Sequence, residues 1–237
     1  MQRHVECDAH VDASSSPAFR SILSASEIIE MIVGAHPRSR DEVIRLIIRL
    51  MRDRDPQSHE HGERTALHAV ALGHAVGFDK EDLIHLHTAA LLHDLGRLTL
   101  PAAVVHKHGP LSAEEYALVQ CHPRAGAEIL TALPWLQTPA VWIAHHHERW
   151  DGSGYPYGLR GGFIPLGSRI LAIADLFDAA LSHQPLAGSA RRHQYASGQL
   201  KIASGSQLDP ELVGTFITLL SLPAGILGRC FTAFAQP

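Results

Sequence analysis

The chain has 237 residues, 46% hydrophobic and 19% charged, enough apolar material for one large domain, or one of medium size with an appendage. A formal charge of −4 with histidine neutral offers no basic surface to a nucleic-acid polymer. The three cysteines, Cys7, Cys121 and Cys230, are widely spaced with no CxxC, which argues against a disulfide framework or zinc ribbon and suits a reducing compartment.

The first residues carry no basic segment followed by an apolar core, so no signal peptide is expected. Apolar runs stop short of the ~18 residues that a membrane span requires. The nearest, Phe216 to Phe234, is interrupted by Pro223, Gly225, Gly228 and Arg229. The expectation is a cytoplasmic protein without a membrane segment.

Residues 1 to about 20 are polar and serine-rich and are expected to be disordered. Two amphipathic helices follow, from Ser26 to the His36-Pro37 stop and from Asp41 to Arg54. Their apolar stripes suit either covering a main domain or forming a homodimer seam. Helical patterns then run from Ser58 to Gly77, from Lys80 to Gly96, and from Ser112 to Leu133, the last opened by a Ser112–Glu115 capping box. A helix over Ala140 to His147 leads into a glycine-rich loop, Glu148 to Pro165. Helices over Leu166 to Leu181 and from Asp209 to Leu220 complete the series, the last with Pro210 in its first turn. No strand alternation competes. The fold class is all-α, a bundle of seven to nine helices, partitioned as an N-terminal extension (1–56), a main domain (57–222) and a tail (223–237).

Eighteen histidines are the anomaly. Imidazole and carboxylate are ligands for first-row divalent metals, and such groups are costly inside apolar helices unless paired or coordinated. His93 and Asp94 follow Leu-Leu. On a helix they are about 100° apart in projection, so they straddle a metal pair with Asp94 as a bridge, or they form a helix C-terminus with His93 at the negative end of the dipole. His146 and His147, with His145 before them, repeat the theme after Val-Trp-Ile-Ala. Asp175 is a lone acid following Ile-Leu-Ala-Ile-Ala. His61 and His122, each taken alone, read more readily as core histidines than as ligands. Taken together, His61, His93, Asp94, His122, His146, His147 and Asp175 form a seven-member candidate ligand set.

The ordered motifs resemble the HD-GYP family, the HD phosphohydrolases of bacterial signalling. They are HxxR at His61–Arg64, HDLGR at His93–Arg97, HKHGPLSAEE, CHPRAG, HHERWDGSGYP, IPLGSRILAIAD and LDPELV. The resemblance covers about two-thirds of the chain. It implies an HD-domain helical bundle with a glycine-rich GYP loop, and a phosphodiesterase opening cyclic di-GMP to linear pGpG and onward to GMP. It also implies two divalent metals, Fe or Mn. One is assigned to His61, His93, Asp94 and Asp175; the other to Asp94 (bridging), His122, His146 and His147. By the same likeness His93, Asp94 and Arg97 are catalytic, while Arg97, Asp178, Arg169 and Tyr155 contact substrate. A GGDEF-domain protein is the implied partner at the loop. Three departures stand out. Gln57 replaces a glutamate that serves a third metal in some relatives. Arg97 replaces a lysine, keeping its charge but donating no proton at accessible pH. Gln184, Leu186 and Ala187 replace a cationic phosphate grip. The alternative implied by these losses is a catalytically weak module that binds the dinucleotide or docks a synthase.

Overall fold

Helix starts fall where short polar side chains can accept a hydrogen bond from an orphan backbone N–H. In the computed structural model, which describes residues 23–183 and 188–222, Ser24 caps α1 (Ala25–Gly34) and Ser39 caps α2 (Arg40–Arg54). Asp55 caps α3 (Pro56–Ala75), Asp79 caps α4 (Lys80–Leu92), and Ser112 with Glu115 forms the expected capping box on α6 (Ala113–Val119). Asp209 caps α11 (Pro210–Leu220). The remaining helices are α5 (Ala102–Val105), α7 (His122–Thr131), α8 (Gln137–Ala144), α9 (Leu166–Ser182) and α10 (Ser189–Ala203). Among the described residues there is no strand, only an isolated bridge between Ser204 and Leu208. The fold is all-α. The expected disorder at 1–20, Cys7 and Cys230, the replaced grip at Gln184, Leu186 and Ala187, and the tail at 223–237 lie outside the described residues.

Helix α3 packs against both α4 and α9, and α7 against α8 and the 3-10 turn Leu95–Thr99. Ile28, Ile32, Ile47 and Met51 of the first two helices share one core with Leu72, Leu92, Ile143 and Phe177. The core therefore runs across the boundary expected at residue 56, and Ile28, Ile32, Val43, Ile47 and Met51 are buried within the chain. No helix of the described residues is long and apolar enough to cross a membrane.

Three local expectations change. Helix α4 ends at Leu92, so His93 is its C-cap and Asp94 begins the 3-10 turn; the pair sits at a break and not on one helix. The single helix expected over Ser112 to Leu133 divides at Gln120–Cys121. Pro123 has no N–H and clashes with a preceding turn, so it sits in the first turn of a new helix. Helix α10 was not anticipated. It buries only Ala196, Leu200 and Ala203, too small and sparse a stripe to stand out from a polar segment.

Two glycines set how closely these elements approach. A Cβ at Gly62 would lie 2.9 Å from the Leu91 carbonyl oxygen, so glycine lets α3 touch the end of α4 and brings His61 beside His93. A Cβ at Gly96 would lie 2.6 Å from the Gly126 nitrogen and closer still to the His122 carbonyl oxygen. Gly96→Ala is expected to push α7 off the 3-10 turn and destabilise the fold by roughly 1–3 kcal/mol or more. A thermal melt checks this, and an unchanged midpoint would contradict the close approach.

His68 is a partly buried histidine outside this junction. Its ring meets Phe177 edge-on at 4.9 Å, and burial pushes its pKa down to about 4, against the pull of Asp178. The folded value lies below the unfolded one near 6.5, so the neutral ring's contribution is complete above that pH and fades as pH falls toward 4. His68→Leu should therefore make the acid-side loss of stability shallower by roughly 1–3 kcal/mol. Melts of both proteins from pH 7 to 4.5 read it directly; parallel curves would refute it.

Candidate metal centre

The close approaches at Gly62 and Gly96 bring five imidazoles from four elements into one chain of edge contacts. Ring centroids are 5.2 Å apart for His61 and His93, 5.3 Å for His93 and His146, and 5.0 Å for His122 and His147. Asp175 enters from α9, its Oδ1 2.8 Å from His61 Nε2 and 3.8 Å from His93 Nε2. Asp94 lies between the two ends. Its Oδ2 is 3.9 Å from His93 Nε2 and its Oδ1 is 3.6 Å from His122 Nε2. Two triads result, His61–His93–Asp175 and His122–His146–His147, and within each the ligand atoms lie within 4.8 Å of one another. All seven candidate residues thus converge, with one oxygen of Asp94 facing each triad.

Backbone carbonyls orient the rings. The Nδ1–H groups of His93, His122 and His146 donate to Ala90 O (2.8 Å), Val119 O (2.7 Å) and Ile143 O (2.6 Å). This bonding assigns the tautomer and leaves each Nε2 with its lone pair toward the centre. For His122 and His146 that Nε2 is buried with no hydrogen-bond partner. A buried acceptor without a donor is costly, and several sharing one centre are the donor set of a cation site. Burial, reinforced by neighbouring imidazoles, pushes His122 and His147 down to about 4 and His146 well below its usual value, so these rings are neutral and free to ligate.

The acids are ionised for the opposite reason. Burial would raise Asp94, but the Arg97 charge and the Ser58 hydrogen bond help hold the carboxyl well below the usual range. Asp175 is likewise held low by its bond to His61, despite burial. Burial opposes charge on His61 too, yet bonds to Asp175 and Asp178 lift it to about 10. A proton thus holds His61 and Asp175 together, where a cation's charge would satisfy both. The residues fit a divalent metal pair.

The residues expected at the substrate divide. Arg97 stands beside the centre, Nη1 donating to Asp94 Oδ2 (3.1 Å) and Nη2 3.4 Å from Asp55. Tyr155 stacks on His147 with centroids 4.9 Å apart, in a cleft of about 310 Å³ that is also lined by His146 and Asp175. Asp178 and Arg169 do not reach it. Asp178 is fully buried, accepting from Arg64 at both oxygens (2.8 and 3.0 Å) while His61 Nδ1 lies 2.7 Å from its Oδ2. Its carboxylate ties His61 to Arg64. Arg169 donates to Asp209 Oδ2 (2.7 Å) and Ile164 O (3.0 Å), which joins α9 to the cap of α11. In both residues the polar atoms of the side chain already have protein partners.

Two residues with supporting parts were overlooked. Ser58 donates to Asp94 Oδ2 at 2.6 Å; its position three residues before His61, on the same face of α3, was the available signal. Glu148 is buried, and its two oxygens accept from the Tyr157 and Leu159 N–H groups at 2.8 and 2.9 Å. It folds the glycine-rich loop back under the histidine run. An acid directly after three histidines gave no hint that it faces away from them.

A family model described as HD domain matches residues 45–212. The chain is 33% identical to the cyclic di-GMP phosphodiesterase response regulator RpfG of Xanthomonas campestris, over 94% of this chain and 59% of that protein. It is 37% identical to 3'3'-cGAMP-specific phosphodiesterase 2 of Vibrio cholerae, over 65% of this chain and 30% of that protein. It therefore spans well under two-thirds of these relatives. Among solved structures, the cyclic GMP-AMP specific phosphodiesterase V-cGAP3 of V. cholerae superposes with a TM-score of 0.61 at 23% identity, covering 81% of this chain and 51% of that one; this likeness concerns the fold. On the matched segment and the curated relatives, the chain belongs to the HD-domain family and is of the HD-GYP type.

Proposed function

We propose that this domain is a metal-dependent phosphodiesterase that hydrolyses cyclic dinucleotides in the cytoplasm, with cyclic di-GMP opened to linear pGpG and onward to GMP. The observation that carries it is the pair of buried, unpartnered Nε2 atoms of His122 and His146 beside a carboxylate that also faces His93. Names borne by relatives, for cyclic di-GMP and for cGAMP, support the substrate class. In this reading His61, His93 and Asp175 hold one cation, His122, His146 and His147 a second, and Asp94 bridges them, with Fe or Mn as the metals. Gln57 leaves no carboxylate for a third. Bound cations supply a hydroxide nucleophile near neutral pH and neutralise phosphoryl oxygens. Ser58 and Arg97 keep Asp94 ionised and oriented. The free edge of Arg97 receives phosphate, and Tyr155 offers its face to a base.

The competing reading is a domain that binds the dinucleotide, or docks a GGDEF-type synthase, without turnover. It draws on Arg97, whose guanidinium is engaged by Asp94 and Asp55. The deciding experiment incubates anaerobically purified, Mn- or Fe-loaded protein with cyclic di-GMP and follows pGpG and GMP by chromatography. Product formation dependent on added metal is expected. Tight binding with no product over hours would favour the module.

A further inference from the structure

Beyond the metal ligands, the cleft is walled by Tyr116 and Gln120 from the α6–α7 junction, by Arg149, Ser153 and Tyr155 from the loop, and by Gln207. The side-chain carboxamides of Gln120 and Gln207 make no hydrogen bond within the described residues. They come from segments 87 residues apart in sequence (207 minus 120), yet both line the space beside His146, His147 and Asp175. Gln207 is held there by its backbone: its N–H bonds to Ala203 O at 2.9 Å, and its carbonyl accepts from Trp150 N at 3.0 Å. Arg149 is steadied as well, Nε donating to Ser153 Oγ at 2.9 Å. Two amides on anchored backbone, without partners among the described residues and beside the proposed phosphodiester site, are groups available to a ligand.

The chemistry of that ligand follows from the donors and acceptors. The carboxamide oxygens of Gln120 and Gln207 are two acceptors, which suit the adjacent N1–H and N2 amino donors that guanine presents and adenine lacks. Arg149 adds donors, which suit the O6 and N7 acceptors of guanine and not the N6 amino group of adenine. Tyr155, braced by the stacked His147 ring, supplies a face, since base–aromatic stacking is tolerant of the base identity. We propose that this part of the cleft is a guanine subsite in which Gln120 and Gln207, with Arg149, read the base edge while Tyr155 holds its plane. The inference rests on the phosphodiesterase reading above and adds which residues set its base preference.

The test compares kcat/KM for cyclic di-GMP and cyclic di-AMP in the metal-loaded parent and in Gln120→Leu and Gln207→Leu. Gln120→Met and Gln207→Met are near-isosteric alternatives should leucine disturb folding. The expected result is a parent that prefers cyclic di-GMP and variants whose preference ratio falls roughly 10-fold, the scale of a lost hydrogen bond to a buried base edge. The ratio cancels any general damage to the centre, which would lower both substrates together. A parent active on cyclic di-GMP whose variants keep the ratio overturns the subsite alone. A metal-loaded parent that turns over neither dinucleotide overturns the subsite and the functional reading with it.

Discussion

Asp94→Ala is expected to strip the protein of most of its bound metal and to lower phosphodiester turnover by on the order of 100–1,000-fold or more. Among the described residues Asp94 is the acid with an oxygen toward each triad, 3.9 Å from His93 Nε2 and 3.6 Å from His122 Nε2. Its removal unlinks two sites at once, and it also leaves the Ser58 hydroxyl and one Arg97 N–H without their acceptor. Elemental analysis of protein purified under anaerobic conditions, beside the turnover assay, reads both effects. Thermal melts add a third, because a ligand present at about 1,000 times its Kd stabilises by about 4 kcal/mol. The parent should gain midpoint temperature on adding Mn and the variant should not. A variant that holds a full complement of metal and hydrolyses normally would remove the bridging role.

Asp178→Asn is expected to weaken metal binding by about 10–100-fold while changing no proposed ligand, the usual cost of losing the group that orients a ligating histidine. Asp178 is fully buried, and its carboxylate lies between His61 and Arg64. With a carboxylate at 2.7 Å, His61 Nδ1 carries the proton and Nε2 faces Asp175 and the centre. An asparagine amide has one acceptor where the carboxylate has two, so either His61 or Arg64 loses its partner. Breaking such a buried pair also destabilises, by roughly 1–3 kcal/mol here, discounted because Arg64 is 45% exposed. Metal titration of the apo protein separates the two possible roles. A tie for His61 predicts weaker metal binding; a substrate contact predicts a raised KM with metal affinity intact, and that outcome would reinstate the role expected for Asp178 from sequence.

The class of the fold was written in the sequence because helix signals are local. Caps such as Ser112 with Glu115, and stripes such as Val43, Ile47 and Met51, act within one or two turns of the chain, so the all-α reading needed no tertiary information. The ordered motifs marked seven histidines and acids as candidate ligands, although His61 and His122 alone read as core histidines, and the fold brings these side chains to one place. Other features depended on who meets whom across the core. Nothing local tells Asp175, which faces the centre, from Asp178 one turn later, which faces Arg64; the contacts that separate their roles span more than 100 residues. Arg169 was an available cation until α9 met Asp209 at the start of α11. Ser58 became a support for Asp94 only because Gly62 lets α3 lie against the end of α4. Residue type set which chemistry was possible. Packing decided which polar atoms were already engaged by the protein, and therefore which were left for metal and substrate.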